Sequence, residues 1–307
     1  MSRKIIISAS IFISFLLIAA LFITNLYSPV ANPVKALNLP YGKSSDSLTN
    51  SEFTLSKNGY AIKTSFFGID KLSVVSDDIS TVILNADSFK FNGSKLLYKK
   101  NNNLYLSTSG VTKVINEEVL EFAFFNDQII YTKKDGDLVN IYNNSAPDKK
   151  LTDINCFKLF IDESSIYALD YSGDVFKITD GQKQRISSVD AYTDKFYFAV
   201  NSEYLIYYQK GTLSLKNLKT SEVYDIAITG KASEYDKFNI ALNDDFVYLS
   251  YAKAGDSTAD SNGLWKIDIK NKSKTKISEK KYSSICLYDS NYVLGYINNK
   301  IEIADKK

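Results

Sequence analysis

One short run constrains this chain more than any other feature. Two apolar residues and a tyrosine recur as Leu96-Leu97-Tyr98, Ile129-Ile130-Tyr131, Leu205-Ile206-Tyr207 and Phe246-Val247-Tyr248, with Ser165-Ile166-Tyr167 and Leu294-Gly295-Tyr296 as variants. The tyrosines follow one another at roughly 33 to 48 residues, the spacing of a repeat architecture. Before each run stands a polar pair: Asn92-Gly93, Asn126-Asp127, Asp162-Glu163, Asn201-Ser202, Asn243-Asp244 and Asp289-Ser290. Asn and Asp tolerate left-handed backbone and bond their own main chain, as tight hairpins require. A third run follows each time: Leu104-Tyr105-Leu106, Leu138-Val139-Asn140-Ile141, Val175-Phe176-Lys177-Ile178, Leu213-Ser214-Leu215, Leu264-Trp265-Lys266-Ile267 and Ile301-Glu302-Ile303. Fourth strands are expected at 111–115, 183–186, 222–226 and 274–277. A fainter first copy reads Phe53-Thr54-Leu55, Tyr60-Ala61-Ile62 and Lys71-Leu72-Ser73-Val74.

Short strands at this period, with no amphipathic helix between them, predict an all-β fold: a β-propeller of about seven blades, each of four antiparallel strands. One small sheet cannot bury both its faces. Radial stacking buries them against neighbours, and closing the ring leaves only short edges. The last unit stops after its third strand, near Ile303. Residues 34–39, or the segment just after them, are therefore expected to supply the closing strand.

Ahead of the repeat, Arg3 and Lys4 precede an uncharged run from Ile5 to about Tyr27, long enough to cross a bilayer as a helix. It exceeds the apolar part of a typical cleaved signal peptide, and Pro29 is badly placed for cleavage after Ala31. The division expected is a cytoplasmic N-terminus (1–4), a transmembrane anchor (5–27), a tether and possible ring-closing strand (28–50), and the propeller (51–307). The basic residues on the short leading side keep the N-terminus in the cytoplasm and put the ring outside, in a single-pass membrane topology.

Composition narrows the chemistry. The chain has no histidine, which excludes Ser-His-Asp and Cys-His catalysis, His-ligated metal and a histidine proton switch. A formal net charge of +2 gives no field that would steer nucleic acid, and no nucleic-acid partner is expected. Cys156 and Cys286 are far apart, show no CxxC spacing and sit in apolar strands; they read as two buried thiols.

The stretch Ile166-Tyr167-Ala168-Leu169-Asp170-Tyr171-Ser172-Gly173-Asp174-Val175-Phe176-Lys177-Ile178 resembles one repeat of the bacterial YWTD-like or PQQ-like propellers. The resemblance extends as a strand rhythm over most of 52–303. It implies an extracytoplasmic ring acting as an interaction platform, and it transfers no catalytic residue. PQQ-type repeats carry a tryptophan in each blade, whereas Trp265 is the only one here, so no cofactor is implied.

The longest break in the rhythm is 251–263, a lengthened hairpin carrying Asp256, Asp260 and Asn262, with Trp265 just beyond it. Long loops on rigid scaffolds carry binding, and these four are the candidate partner-binding residues. The oxygens of Asp256, Asp260 and Asn262 could suit Ca²⁺, but the spacing departs from an EF-hand loop, and a metal site is not expected. Asp162, Glu163, Asp244, Asp245 and Asp289 could approach a channel mouth as acid/base pairs. The chain is thus expected to be a membrane-anchored binding or scaffold module engaging a protein or glycan of the cell envelope. The alternatives are a glycan hydrolase or lyase and an envelope sensor or assembly factor.

Overall fold

The computed structural model describes residues 3–37, 39, 52–56, 58–144, 148–161, 165–189, 198–209, 212–226, 228, 235–243, 245–289 and 291–306. Seven antiparallel meander sheets follow one another along the chain. Among the described residues, blades 1 to 6 (53–84, 88–116, 119–152, 156–188, 198–225 and 237–278) have four strands each, and blade 7 (284–306) has three. This is the seven-bladed propeller that the tyrosine spacing predicts. All four expected fourth strands are present, at Val111–Asn116, Gln182–Ser188, Val223–Asp225 and Lys274–Ser278. Two more, Ser80–Leu84 and Lys149–Thr152, are too polar or too short to stand out in sequence.

The recurring run works because adjacent strand residues point to opposite faces. In the second strand of blade 3, Tyr131 joins the core shared with blade 2, while Ile130 joins the core shared with blade 4. Every seam between consecutive blades has its own apolar cluster. The cluster joining blades 7 and 1 contains Phe53, Leu55, Tyr60 and Ile62 from one side and Cys286, Tyr288, Leu294 and Tyr296 from the other. The turns also follow the sequence. Asn201 Oδ1 accepts from the amides of Glu203 and Tyr204, and Asn243 Oδ1 from those of Asp245 and Phe246. Asn126-Asp127 has both residues at positive φ, as a hairpin turn with φ > 0 at both central positions needs.

Ring closure corrects one expectation. Residues 34–39 supply no strand: Pro33–Ala36 is a short helix, begun by a proline whose missing N–H costs nothing at a first helical position. The segment just after it lies outside the described residues. Among the described residues, what joins blade 7 to blade 1 is side-chain packing and a few long-range hydrogen bonds. Asn299 Oδ1 accepts from the Ser65 amide at 3.1 Å, and its Nδ2 donates to Ser65 O at 2.9 Å. The Tyr296 hydroxyl donates to Lys63 O at 2.5 Å, and Ser283 Oγ donates to Glu52 Oε2 at 3.3 Å.

The N-terminal helix α1 runs Arg3–Tyr27. The expected transmembrane span is not met among the described residues, where no helix is long and apolar enough to cross a membrane. The side chains of α1 are described from Ile13 onward. Within it Ile13, Phe15, Leu16, Leu17, Ile18, Leu21 and Ile23 are all exposed. The end of α1 is docked. Leu26 is buried, and Lys71, only 7% exposed, donates from Nζ to the Asn25 carbonyl at 2.6 Å. An ammonium there meets the negative end of the helix dipole, while burial holds the amine below the usual lysine range. Val30 and Leu39 pack on the blade 7–blade 1 cluster, and the Tyr60 hydroxyl donates to Val30 O.

Cys156 and Cys286 lie in the first strands of blades 4 and 7, both buried and not joined by a disulfide. Burial pushes the Cys156 thiol up to about 12. Neither thiol is therefore expected to react with a maleimide in the native protein at neutral pH, and both should react once it is unfolded; mass spectrometry of the labelled chain reads this directly.

Candidate binding face

In a meander blade, the hairpins between second and third strands emerge on the same ring face as the linkers from one blade to the next. We call this the entry face, because the chain comes into blade 1 there. It carries Phe67-Gly68 in blade 1, Asn101-Asn102 in blade 2, Gly136-Asp137 in blade 3, Ser172-Gly173 in blade 4, the long loop in blade 6 and Asn298-Asn299 in blade 7. The opposite face carries the first-to-second and third-to-fourth turns.

The long loop joins the second strand of blade 6, Phe246–Ala252, to the third, Gly263–Asp268. It is closed upon itself by side chains. Asn262, 4% exposed, accepts from the Lys253 amide at 2.6 Å and donates to Asp256 O at 2.8 Å, clamping the two ends. Asp256 Oδ1 accepts from the Thr258 amide and hydroxyl, both at 3.0 Å. The amide bond from Thr258 is the main reason its carboxyl lies below the usual range. Trp265 Nε1 donates to Ser261 O at 2.8 Å, and the Lys276 ammonium sits 5.9 Å from its ring centroid. Lys276 Nζ also donates to Asp260 O at 3.0 Å. Beneath the loop, buried Asp236 accepts from the Tyr251 hydroxyl at 2.5 Å and the Ala254 amide at 2.8 Å.

The four sequence candidates are thus brought into one loop, in different roles. Asn262 is an internal clamp, and Trp265 braces the loop from its third strand. Asp256 caps its own turn. Asp260 is exposed, as are Gly255, Ser257 and Thr258, and these present the loop's outer surface. Among the described residues no three His, Cys, Asp or Glu side chains gather as a metal site would need. Sequence reasoning missed Asp236, whose only signal is an acidic residue just before an apolar first strand.

The acidic candidates for a channel mouth divide. Asp162, Glu163 and Asp244 lie outside the described residues. Asp245 and Asp289 are exposed in first-to-second turns of blades 6 and 7. On the channel-lining first strands, Glu121 of blade 3 is paired with Lys158 of blade 4 at 2.7 Å. An open cleft of 460 Å³ between blades 2 and 3 is lined by Asn116, Glu117, Glu118 and Lys133 among others. There Asn116 Nδ2 donates to the Tyr131 hydroxyl at 2.9 Å and Asp148 Oδ2 at 2.7 Å. This network ties two blades together and commits those polar groups to the fold.

No family model matches this chain, and no curated protein matches it in sequence. Solved structures do match in shape. The β-propeller domain of the Trilobed protease from Pyrococcus furiosus, described as having an open velcro topology, superposes with a TM-score of 0.51 at 12% identity, covering 87% of this chain and 96% of that one. BamB from Moraxella catarrhalis gives 0.52 at 9% identity, covering 90% and 91%. YCF48, solved bound to D1 peptide, gives 0.51 at 10% identity, covering 85% and 92%. At these identities the likeness is one of fold: the chain is a β-propeller.

Proposed function

We propose that this chain is a membrane-anchored extracytoplasmic propeller, akin in its blades to YWTD-like and PQQ-like repeats, that holds a protein partner of the cell envelope at its entry face. The observation that carries the reading is the blade 6 loop. It is the one long excursion among the described hairpins, and it is locked by Asn262 and Asp236 into a fixed shape, so binding it costs little ordering entropy. Support also comes from YCF48, a ring of the same shape that takes a peptide. The anchor is α1: a helix uncharged after Arg3 and Lys4 at its start, with exposed apolar side chains along residues 13–23, has lipid as its natural solvent. The leading positive charges set the N-terminus in the cytoplasm. The chemistry is contact through loops, with no group transfer.

A photo-crosslinking residue at Thr258 of the full chain in native membranes tests this. The expected product is a protein adduct that is absent when the same residue replaces Asp180 on the opposite face. Asn262→Ala removes two hydrogen bonds from a buried amide, at about 1–3 kcal/mol of local stability, and should abolish the adduct while leaving the ring's melting transition in place. Equal labelling at the two positions, or labelling indifferent to Asn262→Ala, would overturn the reading.

A further inference from the structure

The hairpin tip of blade 1 departs from its own repeat. Blades 2 and 7 turn at the same place through Asn101-Asn102 (φ 52°, 64°) and Asn298-Asn299 (φ 51°, 62°), residues suited to left-handed backbone. Blade 1 makes the same turn through Phe67-Gly68 (φ 49°, 76°). A bulky side chain with φ in that region is strained, and here the residue is also 84% exposed. The turn itself gains nothing from phenylalanine. Strain of this kind persists where a function selects for it.

The position of α1 says what that function is. Phe67 lies against Phe22 of α1, with ring centroids 5.9 Å apart. Further along the chain, Asn25 meets Lys71, deeper in the third strand, and Val30 meets Tyr60, near the far end of the second strand. The chain therefore climbs blade 1 from the entry face upward, and the rest of α1 projects away below that face. A membrane crossed by α1 must lie beneath the entry face, with the Phe67 tip level with a helix position still short of Tyr27. Tyr171 and Tyr235, which with Phe67 are the markedly exposed aromatics of the ring among the described residues, fall on this same face. Tyrosine is enriched at membrane–water interfaces, and phenylalanine is among the apolar side chains that bury at the headgroup–acyl boundary.

We infer that the Phe67 tip is a second membrane contact, inserted in the outer leaflet beside α1, and that it seats the ring with its entry face toward the lipid. The inference rests on the proposed anchor. It also requires the partner of the blade 6 loop to be held at or near the membrane surface.

Site-directed spin labels on the full chain in phosphatidylcholine–phosphatidylglycerol nanodiscs separate the two ideas. The labels are placed at Ile18→Cys, Phe67→Cys and Asp180→Cys, with the native thiols buried. Collision with oxygen against collision with a water-soluble nickel complex reads depth. The expected result is lipid-like accessibility at 18, a shift toward lipid at 67 and aqueous accessibility at 180. Aqueous accessibility at 67 with lipid-like accessibility at 18 overturns the second contact and leaves the anchor standing. Aqueous accessibility at 18 overturns the anchor, and the second contact with it. Phe67→Asn, which suits the turn, guards against a folding artefact: a label at Tyr171→Cys should become more aqueous in that background, and no change there counts against a seated ring.

Discussion

Phe53→Ala should cost about 3–5 kcal/mol, the usual range for emptying a buried aromatic site. Phe53 is 1% exposed in the first strand of blade 1, with its ring centroid 6.0 Å from that of Tyr296 in blade 7. Phe238 holds the matching place in blade 6 and is 2% exposed. Denaturant melts of Phe53→Ala and Phe238→Ala should give comparable losses, but local openings should differ. Blade 6 is held to its neighbours by chain connections on both sides. Among the described residues, the seam between blades 7 and 1 is held by side chains and a few long-range hydrogen bonds. Hydrogen exchange in Phe53→Ala should therefore rise first in the blade 7 strands Tyr292–Ile297 and Lys300–Lys306, before blades 3 to 5 open. Uniform loss of protection around the ring would contradict this weak-seam picture.

Gly295→Val should be at least as damaging, at or beyond the upper end of the about 1–3 kcal/mol seen for overpacked cores. A Cβ at Gly295 would lie 2.3 Å from Cδ1 of Tyr282. That ring has nowhere to go. The Tyr282 hydroxyl donates to Glu302 Oε1 at 2.6 Å, its amide donates to Ser250 Oγ at 2.8 Å, and its carbonyl accepts from Asn239 Nδ2 at 2.9 Å. Pairing the change with Tyr282→Ala makes room and should recover part of the loss, a coupling that a double-mutant cycle measures. Additive effects of the two substitutions would show that the clash is not the cause.

Gly295 marks how far the sequence can be read. In the tyrosine runs, the residue before tyrosine is apolar in five of the six blades aligned, and in the last it is glycine. Pattern reasoning sees a weaker copy. Only the fold reveals that Tyr282, arriving from the blade 6–blade 7 linker, fills the space that a side chain would have taken. The strands and turns themselves were legible because each is a local decision: alternation of apolar residues sets a face, and Asn or Asp sets a turn. Ring closure was less so. A missing fourth strand in the last unit suggests a borrowed one; Pro33–Ala36 is helical, the segment after residue 39 lies outside the described residues, and among the described ones Asn299, Tyr296 and Phe53 bring the ends together by contacts between residues far apart in sequence. The candidate loop was found as a break in rhythm, but the role of each member was not. Asn262 offers the same oxygen to a ligand or to the Lys253 amide, and only geometry decides between them. Phe67 was missed for the opposite reason: it reads as one more core aromatic until its turn is set beside Asn101-Asn102 and Asn298-Asn299.

The central structural claim is that the first and last blades meet side by side. Ser65→Cys combined with Asn299→Cys tests it most directly, because hydrogen bonds of 3.1 and 2.9 Å join these two residues across the seam. A short bifunctional thiol reagent applied to the native double variant should give an internal crosslink, read as a monomer of altered mobility whose linked peptides contain positions 65 and 299. Single variants should give none. A folded double variant that yields no internal link, or links only between molecules, would mean that the blades do not close into a ring.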